Sequence, residues 1–163
     1  MSVPQDLTQS PKKIIVDLIL NSNPDSTFTE ATFFHQAPIV NPPESPRNTD
    51  LVIATTEGDL TAENGARMTI HYNRLNLGAM INPYALQIEN DGTMTKATLL
   101  SAINAAVLNA ENQPRINLTD DDIDDLTVPT EGPCVITAKP TSIIWFGQAS
   151  VDIIAVVPPP VTP

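Results

Sequence analysis

Proline placement is the feature that most restricts how this chain can fold. The 163 residues include 16 prolines, and eight of these fall in two patches, at residues 38–46 and 158–163. Residues 47–82 and 84–113 contain none. Since proline fixes φ and has no N–H to donate, helix interiors and central strands exclude it. Regular structure is therefore expected in the proline-free stretches, and extended, polyproline-like segments in the two patches.

Charge and composition narrow the class of protein. The chain carries 8 basic and 19 acidic residues, a formal net charge of -11, which argues against a nucleic-acid partner. The same sign disfavours anionic membrane surfaces, and no apolar run is long enough to span a bilayer, so no membrane partner is expected. Cys134 is the one cysteine and the N-terminus lacks the features of a signal peptide, so synthesis in a reducing cytosol is expected.

The first expected element is a helix beginning at Ser10-Pro11, where serine suits the N-cap and proline the first helical position. The apolar residues that follow are spaced i and i+4, Ile14 with Leu18 and Ile15 with Ile19. Well over half of the helix circumference is apolar, which is wider than the stripe of an ordinary surface helix. The helix is therefore either deeply buried in its own fold or shared with a partner chain.

The remaining pattern predicts an α+β fold, with a mainly antiparallel β-sheet or sandwich and one or two helices packed on it. Alternation over Arg67 to Leu77 predicts a half-buried strand, residues 59–65 read as a loop, and a second helix is expected from about Thr95 to Asn112. Gly147-Gln148 is interpreted as a hairpin turn between the last two strands. The other β-like runs are 27–34, 51–56, 85–88, 133–138, 142–146 and 149–157.

The length corresponds to about one domain. We expect an N-terminal arm at residues 1–9, a single α+β domain over 10–157 and a Pro-rich tail at 158–163. Within the domain, residues 38–48 are expected to form an extended Pro-rich loop. Extended arms of this kind can lie across a neighbouring protein without needing a large core of their own.

The acidic run at 120–125 is the sharpest candidate for a metal site. Its alternate carboxylates and a later glutamate match four ligand positions of a Ca²⁺-binding loop: Asp120, Asp122, Asp124 and Glu131. Asp125 stands where that loop needs glycine, and Pro129 interrupts it. We therefore favour a solvated helical turn that begins at Thr119, and assign no metal or other cofactor.

Catalytic chemistry has little support in the sequence. His71 lies on the polar face of its strand with no partner nearby in the sequence, and Cys134 sits in an apolar run typical of a buried thiol. Arg74 is expected to form a structural ion pair with a carboxylate. No catalytic residue is assigned, and the chain is not expected to be an enzyme; an enzyme would need a site built from His71, Cys134 and remote carboxylates.

Several segments together resemble a small domain of the virion structural proteins of large (jumbo) tailed bacteriophages. They span most of the chain: Ser10–Ile15 with Leu18-Ile19, Ile70–Leu77, Leu99–Asn104, Asn117–Ile123 and Ser142–Gly147. The resemblance implies a tail, baseplate, fibre-attachment or capsid-surface component located in the virion, with no catalytic residues. Its expected partners are other virion proteins or further copies of itself in a homo-oligomer.

Assembly is accordingly the first functional hypothesis. The residues expected to form the interface belong to the first helix and the two Pro-rich segments: Ile14, Ile15, Leu18, Ile19, Pro42, Pro43, Pro158 and Pro159. A carbohydrate- or Ca²⁺-binding module that uses the Asp120–Asp125 region is the alternative.

Overall fold

Helices and strands are interspersed along the chain. The structure, a computed structural model, describes residues 9–108 and 117–156. The described helices are α1 (Pro11–Ser22), α2 (Glu57–Thr61), α3 (Leu77–Ile81) and α4 (Lys96–Leu108). The described strands are β1 (Phe34–His35), β2 (Ile39–Val40), β3 (Thr49–Ala54), β4 (Arg67–Tyr72), β5 (Leu75–Asn76), β6 (Gln87–Asn90), β7 (Gly132–Thr137), β8 (Trp145–Phe146) and β9 (Gln148–Ala155). This confirms the expected α+β class.

The first sheet is built around β3. On one side β3 pairs antiparallel with β4 over six residue pairs, from Thr49↔Tyr72 to Ala54↔Arg67. On the other side it pairs with β1 and then with β2, both antiparallel. Pro38 lies between these two short strands, so the edge is interrupted where the backbone has no N–H to offer.

The remaining strands form two further small sheets. β5 and β8 pair in parallel, while β9 lies between β6, which is parallel to it, and β7, which is antiparallel. Most pairings of the described strands are antiparallel, as expected. The interpretation of Gly147-Gln148 as a hairpin turn is wrong: β8 pairs with β5, and Gly147, with φ of 79°, turns the chain from one sheet into the next.

Helix α1 begins where the sequence predicted, because the Ser10 hydroxyl accepts a hydrogen bond from the Lys13 N–H and Pro11 is the first helical residue. Its wide apolar face packs into the core of the chain itself. Ile14, Ile15 and Ile19 are buried, so their assignment to an assembly interface is wrong. Leu18 is 39% exposed and remains accessible.

The Pro-rich segment 38–48 is a closed hairpin rather than an extended loop. β2 and β3 pair through Ile39↔Asp50 and Val40↔Thr49. The Asn41 N–H donates to the Asn48 carbonyl at 2.9 Å, and the intervening turn leaves Pro42 and Pro43 exposed. Strand pairing supplies backbone hydrogen bonds that an isolated polyproline segment lacks, which explains the difference.

Three local expectations need correction. The run 27–34 contains a 3₁₀ turn, Glu30–Thr32, whose Thr29 and Thr32 side chains cap it reciprocally. The strand expected over Arg67 to Leu77 ends at Tyr72, because the Asn76 side chain caps α3. Helix α2 occupies part of the expected loop 59–65. The expected end of the second helix beyond residue 108, the arm at 1–8, and the tail with Pro158 and Pro159 lie outside the described residues.

The burial of α1 gives a direct stability test. Ile15 is 1% exposed, so Ile15→Ala should lower the free energy of unfolding by about 2–5 kcal/mol, through lost burial and the cavity left behind. Leu18→Ala, one turn further along the same helix, should cost less than about 1.5 kcal/mol. Urea unfolding followed by circular dichroism measures both. Equal losses would contradict the assignment of Ile15 to the core and Leu18 to the surface.

Candidate functional site

A groove of about 620 Å³ lies between α1 and β4, and we call it the α1–β4 groove. Ile15, Leu18, Ile19 and Ser22 form its helical wall, at the spacing of a single helix face. The opposite wall is the consecutive run 68–73. Because alternate residues of a strand point to opposite faces of a sheet, a wall of consecutive residues means that the groove follows the edge of β4.

The outer edge of β4 is open. Among the described strands β4 pairs only with β3, so backbone N–H and C=O groups on its other side face the groove. Met68, at 49% exposed, adds an apolar side chain to this edge, across the groove from Leu18. The groove therefore combines unpaired strand backbone with apolar surface.

The far end of β4 is held firmly in the fold. The Tyr72 hydroxyl donates to the Ile143 carbonyl at 2.6 Å, and burial raises the pKa of Tyr72 above its ordinary value. Tyr72 and Ile70 also pack against the hydrophobic core. β4 consequently presents its open edge from a rigid position.

A polar cluster adjoins the groove beneath the hairpin loop at residues 41–47. The His71 Nδ1 lies 2.6 Å from the Asp50 Oδ1, and the Asn41 side-chain amide donates to the same oxygen at 2.6 Å. Asn41 and His71 hold the pKa of Asp50 below its usual value. Asp50 faces His71 directly across β3 and β4, a partner that local sequence could not reveal because it is 21 residues away.

The structure does not bring His71 and Cys134 into one site. Cys134 is buried in β7, which belongs to a different sheet, and burial raises the pKa of its thiol. A protonated, buried thiol behaves as a small apolar side chain, as the sequence predicted. His71 instead remains exposed on β4, bonded to Asp50.

The acidic run turns some of its carboxylates into the protein. Asp122 is 2% exposed and accepts hydrogen bonds from the Thr119 hydroxyl at 2.7 Å and the Ser142 hydroxyl at 2.8 Å. The expected turn at Thr119 is therefore present, but Asp122 points inward instead of being solvated. The side chain of Asp120 pairs with Lys96 at 2.9 Å, which lowers the pKa of Asp120.

These bonds engage two of the four residues considered for calcium. Asp120 is paired with Lys96, Asp122 is bonded to hydroxyls, and Glu131 is exposed. Asp124 donates its backbone N–H to the Thr137 carbonyl at 2.9 Å. Within residues 9–108 and 117–156, no three histidine, cysteine or acidic side chains are grouped so that they could hold a metal ion.

Arg74 does not form the expected ion pair. It is 5% exposed, and its guanidinium donates to the Thr49 hydroxyl and the Ser142 carbonyl, each at 3.0 Å. The guanidinium also lies 5.8 Å from the centre of the Phe146 ring. Within the described part of the chain no carboxylate pairs with it, because neutral oxygens and an aromatic face surround it instead.

Comparison with known proteins places the chain in a family. Residues 4–158 match a family described as "Family of unknown function (DUF7941)". The chain belongs to this family. No curated protein and no solved structure matches it. The α1–β4 groove and the adjoining polar cluster of this DUF7941 chain both lie within the matched region. Over the residues that the structure describes, the DUF7941 chain has no helix long and apolar enough to cross a membrane.

The buried position of Asp122 predicts a structural role. Asp122→Ala leaves the Thr119 and Ser142 hydroxyls without their acceptor and should lower the free energy of unfolding by about 2–4 kcal/mol. Asp121→Ala removes the neighbouring exposed carboxylate and should change it by less than about 0.5 kcal/mol. Thermal unfolding with and without added Ca²⁺ measures both. A larger effect at Asp121 would contradict this assignment.

The Asp50 cluster predicts a pH dependence of stability. Because the pKa of Asp50 is lower in the folded chain than the unfolded value of about 3.9, its stabilising contribution is full above about pH 4 and is lost as pH falls. Asp50→Asn should therefore flatten the fall in Tm on acidification from pH 5 to about pH 3, relative to the unsubstituted chain. Asp25→Asn, which removes an exposed carboxylate from the turn after α1, is the matched control and should leave that slope unchanged.

Proposed function

We propose that this chain is a structural component of a bacteriophage virion, in the tail, baseplate, fibre attachment or capsid surface, and that it acts by binding other proteins. The observation that carries the proposal is the open edge of β4 beside α1. The virion setting is supported by the resemblance of five segments, including Ile70–Leu77 on this edge, to the small domain of virion structural proteins.

The chemistry of the groove suits a protein partner. Unpaired N–H and C=O groups along a strand edge are satisfied either by water or by another strand, and a strand gives regular hydrogen bonds. Leu18 and Met68 flank that edge and would leave water when a strand is added. Backbone pairing and apolar burial therefore act at the same place.

The charge distribution favours the same surface. At a net charge of -11 the chain repels acidic neighbours over most approaches, which favours solubility before assembly. The described residues that line the α1–β4 groove include Arg47 and His71 and no carboxylate. Electrostatic repulsion between acidic proteins is therefore weakest at the groove.

The interface proposed here is narrower than the one expected from sequence. Of the α1 residues, Leu18 remains as an accessible contact. Pro42 and Pro43 stand exposed at the tip of the 41–47 hairpin loop, next to the polar cluster and near one end of the groove. These residues, together with Met68, are the proposed contact set.

Incorporation into particles tests the proposal. Antibodies against the chain should label purified particles of the phage that encodes it, and the chain should sediment with those particles. Met68→Glu, which puts a charge at the apolar edge of β4, should reduce incorporation at least about tenfold. Val135→Glu, on the outer face of β7 and 53% exposed, is the matched control and should be incorporated normally. Recovery of the unsubstituted chain only outside particles would overturn the proposal.

A further inference from the structure

We infer that the partner at the β4 edge is a second copy of this chain, paired antiparallel through β4 in a register centred on Ile70. The inference rests on the proposed function, because it names the occupant of the same groove. The two β3–β4 sheets then join into one continuous sheet across a two-fold axis, and each α1 flanks the joint. Two-fold dimers are the commonest symmetric assemblies of soluble proteins.

The other sheet edges of the described strands are poorly suited to self-pairing. Strands β1, β2, β5 and β8 are two residues long, and Pro38 separates the first two. Pro133 lies inside β7, where it removes a donor, and Glu89 lies in β6. The six residues of β4 include neither a proline nor a carboxylate. In an acidic chain, β4 is thus the edge that two copies can bring together at the lowest electrostatic cost.

Symmetry restricts the possible registers. A two-fold axis between side-by-side antiparallel strands is perpendicular to the sheet, so facing residues must point to the same face. The axis must then pass beside a residue and its own copy. Near the middle of β4 that residue is Thr69 or Ile70.

Side-chain chemistry separates these two registers. Centred on Ile70, Met68 faces the partner's Tyr72, and Thr69 faces the partner's His71. The first pair places a thioether against an aromatic ring, which is a favourable contact. Centred on Thr69, Arg67 faces the partner's His71, so that two basic side chains oppose each other. The Ile70 register is therefore favoured.

Coverage of exposed apolar surface supports the same arrangement. Met68 is 49% exposed and Leu18 39% exposed, and both line the α1–β4 groove. A strand added along β4 covers both. Met68 lies on the same face of β4 as Ile70 and Tyr72, which pack against the core. The added strand consequently extends the apolar face of the sheet across the joint.

Sedimentation of the full chain tests the inference. The unsubstituted chain should form a species of twice its 17.5 kDa mass, with a concentration-dependent equilibrium. Thr69→Lys places a second basic group opposite the partner's His71 at two equivalent positions, and should raise the dissociation constant about tenfold. Thr69→Glu should leave it unchanged or lower it, since a carboxylate then faces the imidazole. Val135→Lys, on exposed β7, is the matched control and should have no effect.

The outcomes separate this inference from the proposed function. A chain that stays monomeric at its highest soluble concentration, yet needs Met68 for incorporation into particles, would overturn the second copy and retain the proposed function. A dimer weakened equally by both Thr69 substitutions would overturn the Ile70 register. A dimer affected by neither would place the interface elsewhere. Should Thr69→Lys unfold the chain, hydrogen exchange decides: stronger protection of the β4 amides at high concentration supports the inference, and unchanged protection overturns it.

Discussion

The fold depends on a buried polar network centred on Ser142. The Ser142 carbonyl accepts from the Arg74 guanidinium, while its hydroxyl donates to the Asp122 carboxylate at 2.8 Å. Arg74 also donates to Thr49 at the start of β3, so four buried polar residues form one connected chain of hydrogen bonds. Two opposite charges thus share a neutral residue rather than touching. Burial costs both ions hydration, and hydrogen bonds to oriented neutral groups offset that cost.

This network positions the surface that we propose for binding. Arg74 follows β4 by two residues, and its backbone N–H donates to the Asn48 side chain, which precedes β3. The Tyr72 hydroxyl binds the Ile143 carbonyl, next to Ser142. The C-terminal end of β4 is therefore held from both sides by the segment that leads into β8. An edge held in this way loses little further conformational entropy when it gains a strand, so more of the interaction energy remains for binding.

Local sequence rules succeeded where the cause was local. Ser10 and Pro11 specify the start of α1, and the Ser10 hydroxyl caps the Lys13 N–H. Alternation predicted β4, although its end was missed because Asn76 caps a following helix. The candidate site was harder to predict, because Asp50 and His71 meet across 21 intervening positions. Strand pairing of that range leaves no periodic signal. A polar residue at matched positions of two expected strands would have been the one available hint.

The sequence by itself determined that this chain would be an acidic α+β protein with a strongly apolar first helix and with regular structure confined to the proline-free stretches. It left open whether that helix is a core element or an interface. Tertiary structure decided for the core, because Ile14, Ile15 and Ile19 find enough apolar partners within the chain. It also turned the 38–48 segment into a hairpin, turned Asp122 inward, and moved the accessible surface to the edge of β4. Local patterns report which residues prefer to be buried, whereas which surface stays open depends on how the elements pack.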